Sequence, residues 1–128
     1  MDGSDGLVAS VLSLIFLMAG ILVSPIFYII SFSLIIFLKF NLPPARYFMG
    51  DVGSMFLGAT YVGALIMSPN IEIFVVLVIV NLPLLLDPFF TIFRRLIAGE
   101  NIFLAHNSHL YQRLYRWGYK KQTIVLIY

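Results

Sequence analysis

The residues able to do chemistry fall in three short polar segments and one isolated position. Asp2 and Asp5 lie three apart in Asp-Gly-Ser-Asp-Gly. On a helix they would share one face, and the glycines would let a backbone or a phosphate come close. The same residues also suit a loop with a helix cap. Asp51 is the lone charge between Arg46 and Glu72, with Gly50, Gly53 and Ser54 around it as candidate substrate contacts. One carboxylate there suits Mg²⁺, which takes one or two carboxylates plus substrate phosphates; a helix cap with glycines for close packing is the alternative. His106, His109, Arg113, Arg116 and Lys120 follow at offsets 0, 3, 7, 10 and 14, one helical face. Gly118 is expected to end that helix. Arginine and lysine would bind diphosphate oxygens there while histidine donates or shuttles a proton. An amphipathic helix on anionic headgroups, with Trp117, Tyr115 and Tyr119 in an aromatic belt, fits the same residues. Asp87, before Pro88, stands alone in an apolar run. An ionisable residue in such a run is a functional candidate by default; pairing with an arginine, or capping a break at Pro88, is the structural alternative.

The elements that must hold these residues are apolar. Of 128 residues, 61% are hydrophobic and 11% charged, against roughly 25% charged in soluble domains. Mean hydropathy is +0.99. A net charge of +2 does not suit nucleic acid as a partner. The absence of cysteine excludes disulfides, thiolate metal sites and a cysteine nucleophile. Two histidines without a His-Glu-x-x-His pattern fall short of a zinc site.

No charge occurs from Gly6 to Leu38 or from Val52 to Ile71, and only Asp87 between Ile73 and Phe93. A spanning helix needs about 20 apolar residues, so the second and third runs read as single spans divided at Ser68-Pro69-Asn70. The first run exceeds one span. Gly20, Ser24 and Pro25 place a reversal in it, giving helices over Leu7–Val23 and Pro25–Lys39, with one long tilted helix as the alternative. All eight basic residues are Lys39, Arg46 or within Arg94–Lys121, while Glu72 lies between the second and third runs. The positive-inside rule puts both basic stretches in the cytoplasm. The three polar segments then face one surface of the bilayer. The expected fold is an all-α polytopic transmembrane helix bundle of about four spans, with Gln122–Tyr128 as the start of a fifth.

In this order the segments resemble the polyprenyl-phosphate N-acetylhexosamine-1-phosphate transferases, the superfamily of glycosyltransferase 4 and the phospho-N-acetylmuramoyl-pentapeptide transferases. Met1-Asp2-Gly3-Ser4-Asp5-Gly6-Leu7 is similar to the family's Asn-x-x-Asp-Gly-x-Asp-Gly-Leu motif without its Asn. Pro43-Pro44-Ala45-Arg46 through Phe48-Met49-Gly50-Asp51-Val52-Gly53-Ser54 resembles its Gly-Asp-x-Gly-Ser motif. Arg94-Arg95 through His106-Asn107-Ser108-His109-Leu110-Tyr111-Gln112-Arg113-Leu114 resembles its histidine-bearing loop. The resemblance implies transfer of a sugar 1-phosphate from a UDP-N-acetylhexosamine to undecaprenyl phosphate, releasing UMP, with Mg²⁺, at the bacterial inner membrane. It implies Asp51 as metal ligand, Asp2 and Asp5 as the acidic pair near nucleotide or lipid phosphate, and His106 and His109 near diphosphate and uridine. Asp87 matches an acidic residue of the preceding span and is a weaker metal candidate.

Two departures accompany it. An acidic pair in an earlier cytoplasmic loop of the family has no counterpart, nor do the helices before the first motif. The sequence alone therefore reads as an inactive partial domain over residues 1–128. His-Leu-Tyr-Gln stands where many members have His-Leu-His-His, a form similar to the O-antigen branch that uses 6-deoxy-N-acetylhexosamines. Oligomeric state, a homodimer included, stays open. A small transporter coupled through Asp87, or a non-catalytic assembly subunit packing through Gly58, Gly63 and Ala64, is the competing reading.

Overall fold

The computed structural model describes residues 6–99, 114–119 and 123–124. Five helices run in order: α1 (Leu7–Leu22), α2 (Ile26–Asn41), α3 (Gly50–Ile66), α4 (Ile71–Val80) and α5 (Leu82–Ile97). No strand occurs among the described residues, as the all-α reading expects.

The first apolar run is a helical hairpin. Val23, Ser24 and Pro25 separate α1 from α2 within two residues of the expected boundaries. Pro25 sits just ahead of α2, where its missing N–H costs nothing. The hairpin closes on Phe16 and Phe27, stacked at 6.1 Å, and on Gly20, which admits the Tyr28 ring. Deep in the hairpin, the Ser31 hydroxyl donates to the Ser13 carbonyl at 2.8 Å. Ile15, Phe16 and Ala19 are fully buried.

The outer surface is as apolar as the core. Ile29, Ile36, Val52, Met55 and Ile66 are each exposed by two thirds or more, while Ser13, Ser31 and Asn41 are buried. Water would not tolerate so many large apolar side chains exposed on so short a chain; hydrocarbon does, so this is a membrane helix bundle. No single described helix is long and apolar enough to cross a membrane alone. At 16 or 17 residues, α1, α2 and α3 reach about 25 Å. Asn70 caps α4, its side chain accepting from the Ile73 N–H at 2.9 Å, which bears out the turn at 68–70.

The third apolar run is broken: it stops at Asn81 and restarts as α5, and the two helices have the length and apolar character of a span only together. Pro83 gives the reason. It has no N–H for the Ile79 carbonyl and its ring crowds that oxygen, so the first helix cannot continue, whereas a proline in a first turn is tolerated. The same point divides the chain into two compact units, 1–81 and 82–128. In the second, α5 runs through Pro88 without a break, so Asp87 caps nothing there. Residues 114–116 are helical and Gly118, at φ 94°, ends that turn as expected. The Gly118 and Tyr119 N–H groups donate to the Tyr115 and Leu114 carbonyls, a Schellman closure. Of the expected fifth span only residues 123–124 are described.

Candidate functional site

Among the described residues the site is the region where the start of α1 and the loop that leads into α3 are tied to the end of α2. Gly6 immediately precedes α1 and adopts φ 77°. A side chain there would be strained by that conformation and would also meet the Leu42 Cδ2 atom at 2.9 Å. Gly6 itself occupies the cap position of α1, with no side-chain cap bond.

The organiser is Asn41, the last residue of α2, only 4% exposed. Its Oδ1 accepts from the Gly6 N–H at 3.1 Å, and its Nδ2 donates to the Tyr47 carbonyl at 2.8 Å. The Arg46 and Tyr47 N–H groups both donate to the Phe40 carbonyl, at 2.9 and 3.3 Å, and the Phe40 and Tyr47 rings meet edge to face. The loop with the cis Pro43-Pro44 bond is thereby folded back onto the end of α2. Sequence reasoning missed Asn41; its one signal was a lone amide between a 33-residue uncharged run and Pro-Pro.

From Tyr47 the chain leads directly into α3. Gly50 has φ 69° with open space where a Cβ would stand, and Asp51 lies exposed in the first turn of α3. Met49, not Asp51, holds the cap position and makes no side-chain cap bond, so the capping alternative for Asp51 does not hold. Helix N-termini favour anions through free N–H groups and the dipole. Ser54 donates to the Asp51 carbonyl at 3.0 Å, and Gly53 packs under Met49.

The structure thus brings Gly6, which ends the Asp-Gly segment, beside the approach to Asp51, Gly50, Gly53 and Ser54. The Gly6 amide and the Tyr47 carbonyl lie within about 8 Å, two hydrogen bonds plus one amide group. Asp2, Asp5, His106, His109 and Arg113 lie outside the described residues. Asp87 is in the second unit, 2% exposed, and its Oδ1 accepts from the Thr91 hydroxyl at 3.3 Å. Asp87, Thr91 and Arg95, at spacings of four, form a buried polar stripe on α5 beside exposed Phe89, Phe90 and Phe93.

No group of three or more His, Cys, Asp or Glu side chains able to hold a metal occurs among the described residues. The exposed Asp51 carboxylate still fits Mg²⁺, which binds through few protein carboxylates and takes its remaining ligands from phosphates and water.

Comparison with known proteins decides the family. The pattern of glycosyl transferase family 4 matches residues 1–69, the stretch holding the Asp-Gly segment, Asn41 and Asp51. The chain belongs to glycosyl transferase family 4. A relative from Bacillus subtilis, named a probable undecaprenyl-phosphate N-acetylglucosaminyl 1-phosphate transferase, is 31% identical over 99% of this chain and 39% of its own length. A phospho-N-acetylmuramoyl-pentapeptide-transferase from Deinococcus radiodurans is 49% identical over 49% of the chain and 20% of its own length. Another of that name, from Clostridium kluyveri, is 33% identical over 91% of the chain and 39% of its own length. The chain therefore spans about two fifths or less of these relatives. No solved structure matches it. Membership agrees with the motif resemblance, and the B. subtilis match extends it through the histidine segment that the family pattern leaves out.

Proposed function

We propose that this chain supplies part of the centre of a polyprenyl-phosphate sugar-1-phosphate transferase acting in cell-envelope polysaccharide synthesis. The donor is a UDP-N-acetylhexosamine, the acceptor undecaprenyl phosphate, and the products are undecaprenyl-diphospho-sugar and UMP. The observation that carries the reading is the convergence of Gly6 and the Tyr47 carbonyl on one buried amide, with Asp51 exposed four residues after Tyr47. The names of the relatives support the substrate class.

In the reaction an oxygen of the lipid phosphate attacks the sugar-bearing phosphorus of the nucleotide sugar. The bond from that phosphorus to the UMP oxygen breaks, and UMP leaves with the electron pair. Such transfers need in-line positioning and charge neutralisation more than covalent work by the protein. Asp51 would hold Mg²⁺, which when bound neutralises diphosphate oxygens. The α3 N-terminus favours the anion. Asp2 and Asp5 orient nucleotide or lipid phosphate. His106, His109 and Arg113 bind the diphosphate, Arg as a fork and His as a proton donor.

The polar segments face the cytoplasm at the inner membrane, because the basic residues lie beside the second and in the third, and the α1–α2 hairpin returns the first to the same side. A lipid acceptor accounts for a site at the mouth of an apolar bundle. O-antigen synthesis with a 6-deoxy sugar is the branch that the His-Leu-Tyr-Gln segment favours. The test is UMP release from UDP-N-acetylhexosamine in vesicles containing undecaprenyl phosphate, using the complete reading frame that contains these residues. Release that depends on Mg²⁺ and on Asp51 supports the reading. Release unchanged by Asp51→Asn removes the metal role.

A further inference from the structure

We propose that Asn41 is a positioning residue, whose single amide sets Gly6, at the start of α1, and the loop that leads to Asp51 in one fixed relation. The inference rests on the function proposed above for its turnover readout, but its structural half can be tested without turnover.

The argument begins with the two groups Asn41 holds. Gly6 N–H is a donor at the start of a helix, where backbone N–H groups lack intrahelical partners. Asn41 Oδ1 satisfies it from 35 residues away, in a buried setting. The Tyr47 carbonyl belongs to a loop with no regular hydrogen-bond ladder, and Asn41 Nδ2 satisfies that one. Only a primary amide offers an acceptor and a donor side by side. Aspartate could keep the Gly6 bond but would turn a second acceptor toward the Tyr47 carbonyl. Alanine would lose both bonds.

The placement makes the bridge more than a local cap. Gly6 directly follows Asp5, and Tyr47 stands four residues before Asp51. With Phe40 accepting from Arg46 and Tyr47, the loop is pinned to α2 on both sides. A shift of about 1 Å between groups that must act on one diphosphate costs on the order of 100-fold in rate. Such a shift leaves each group free to bind its own ligand, so the loss falls on kcat and not on KM.

The experiment compares wild type, Asn41→Ala and Asn41→Asp in nanodiscs, in the complete reading frame. Amide exchange is read at Gly6 and Arg46, and UMP release is normalised to folded protein. Asn41→Ala is expected to speed exchange at both amides, and Asn41→Asp at Arg46 alone. Both are expected to lose about 100-fold in kcat with KM for the nucleotide sugar within about threefold. A merely structural role predicts a lower melting temperature with full turnover per folded molecule, which would overturn the proposal. So would unchanged Gly6 exchange in Asn41→Ala, or wild-type kcat in Asn41→Asp. If wild type released no UMP, the transferase reading would fail, while exchange at Gly6 and Arg46 would still decide whether Asn41 couples the segments.

Discussion

The Tyr61 hydroxyl of α3 donates to the Leu77 carbonyl of α4 across 3.2 Å, in a buried setting one turn before α4 stops. The same carbonyl accepts the Asn81 N–H, so it takes two bonds where Pro83 ends the helical ladder. The tie fastens α3, whose first turn holds Asp51, to the last regular turn before the break.

Tyr61→Phe therefore removes the bond to Leu77, and with it the contact of the hydroxyl with the Asn81 side chain, without opening a cavity. Such bonds inside membrane bundles contribute about 0.6 kcal/mol on average. The expected outcome is a slightly lower unfolding temperature in detergent and turnover within about twofold of wild type. A loss beyond tenfold would mean that α3 is held in place mainly through Tyr61.

Gly6→Ala should act at the opposite end of the bundle. A residue with a Cβ at φ 77° costs about 1–2 kcal/mol, and the contact with Leu42 adds to it. The N-terminal turn of α1 should open, seen as faster exchange at the Ser10 amide, which donates to the Gly6 carbonyl at 2.9 Å. Unaltered exchange at Ser10 would show that Gly6 is not under this constraint.

Much of this arrangement was legible in the residue order. The α1–α2 hairpin followed from an uncharged run too long for one span, with Ser24-Pro25 in its middle. Asp51 as a lone carboxylate among glycines just ahead of an apolar run was also legible, although the helix begins before it, at Gly50. Two features were not legible. The break at Asn81 lies in a run whose hydropathy stays high through Pro83, so an average over 20 residues passes over it. Asn41 makes its bonds with backbone groups 35 and 6 residues away, which leave no side-chain signature in the sequence.

The histidine segment gives a third prediction. If His106 and His109 bind the diphosphate and manage a proton, His106→Ala and His109→Ala should each lower kcat/KM by about 100-fold. Gel filtration and insertion should be unchanged. Steady-state UMP release over a range of nucleotide sugar checks this, and full activity in both variants would leave the segment as a headgroup-binding helix.

Asp87 separates the transferase from a transporter. Asp87→Asn keeps an oxygen for the Thr91 hydroxyl, so folding should persist, and turnover should fall less than tenfold, about 1.4 kcal/mol or less. A transporter coupled through Asp87 would instead lose all substrate uptake in proteoliposomes while remaining indifferent to Asp51.

The most direct test of the account is Mg²⁺-dependent UMP release by wild type and Asp51→Asn, in the complete reading frame and with membrane insertion matched. The account predicts that wild type releases UMP only when Mg²⁺ and undecaprenyl phosphate are both present. It predicts that Asp51→Asn, equally inserted, falls by at least about 1,000-fold, roughly 4 kcal/mol of transition-state stabilisation. Asp51→Asn turning over at the wild-type rate would contradict it.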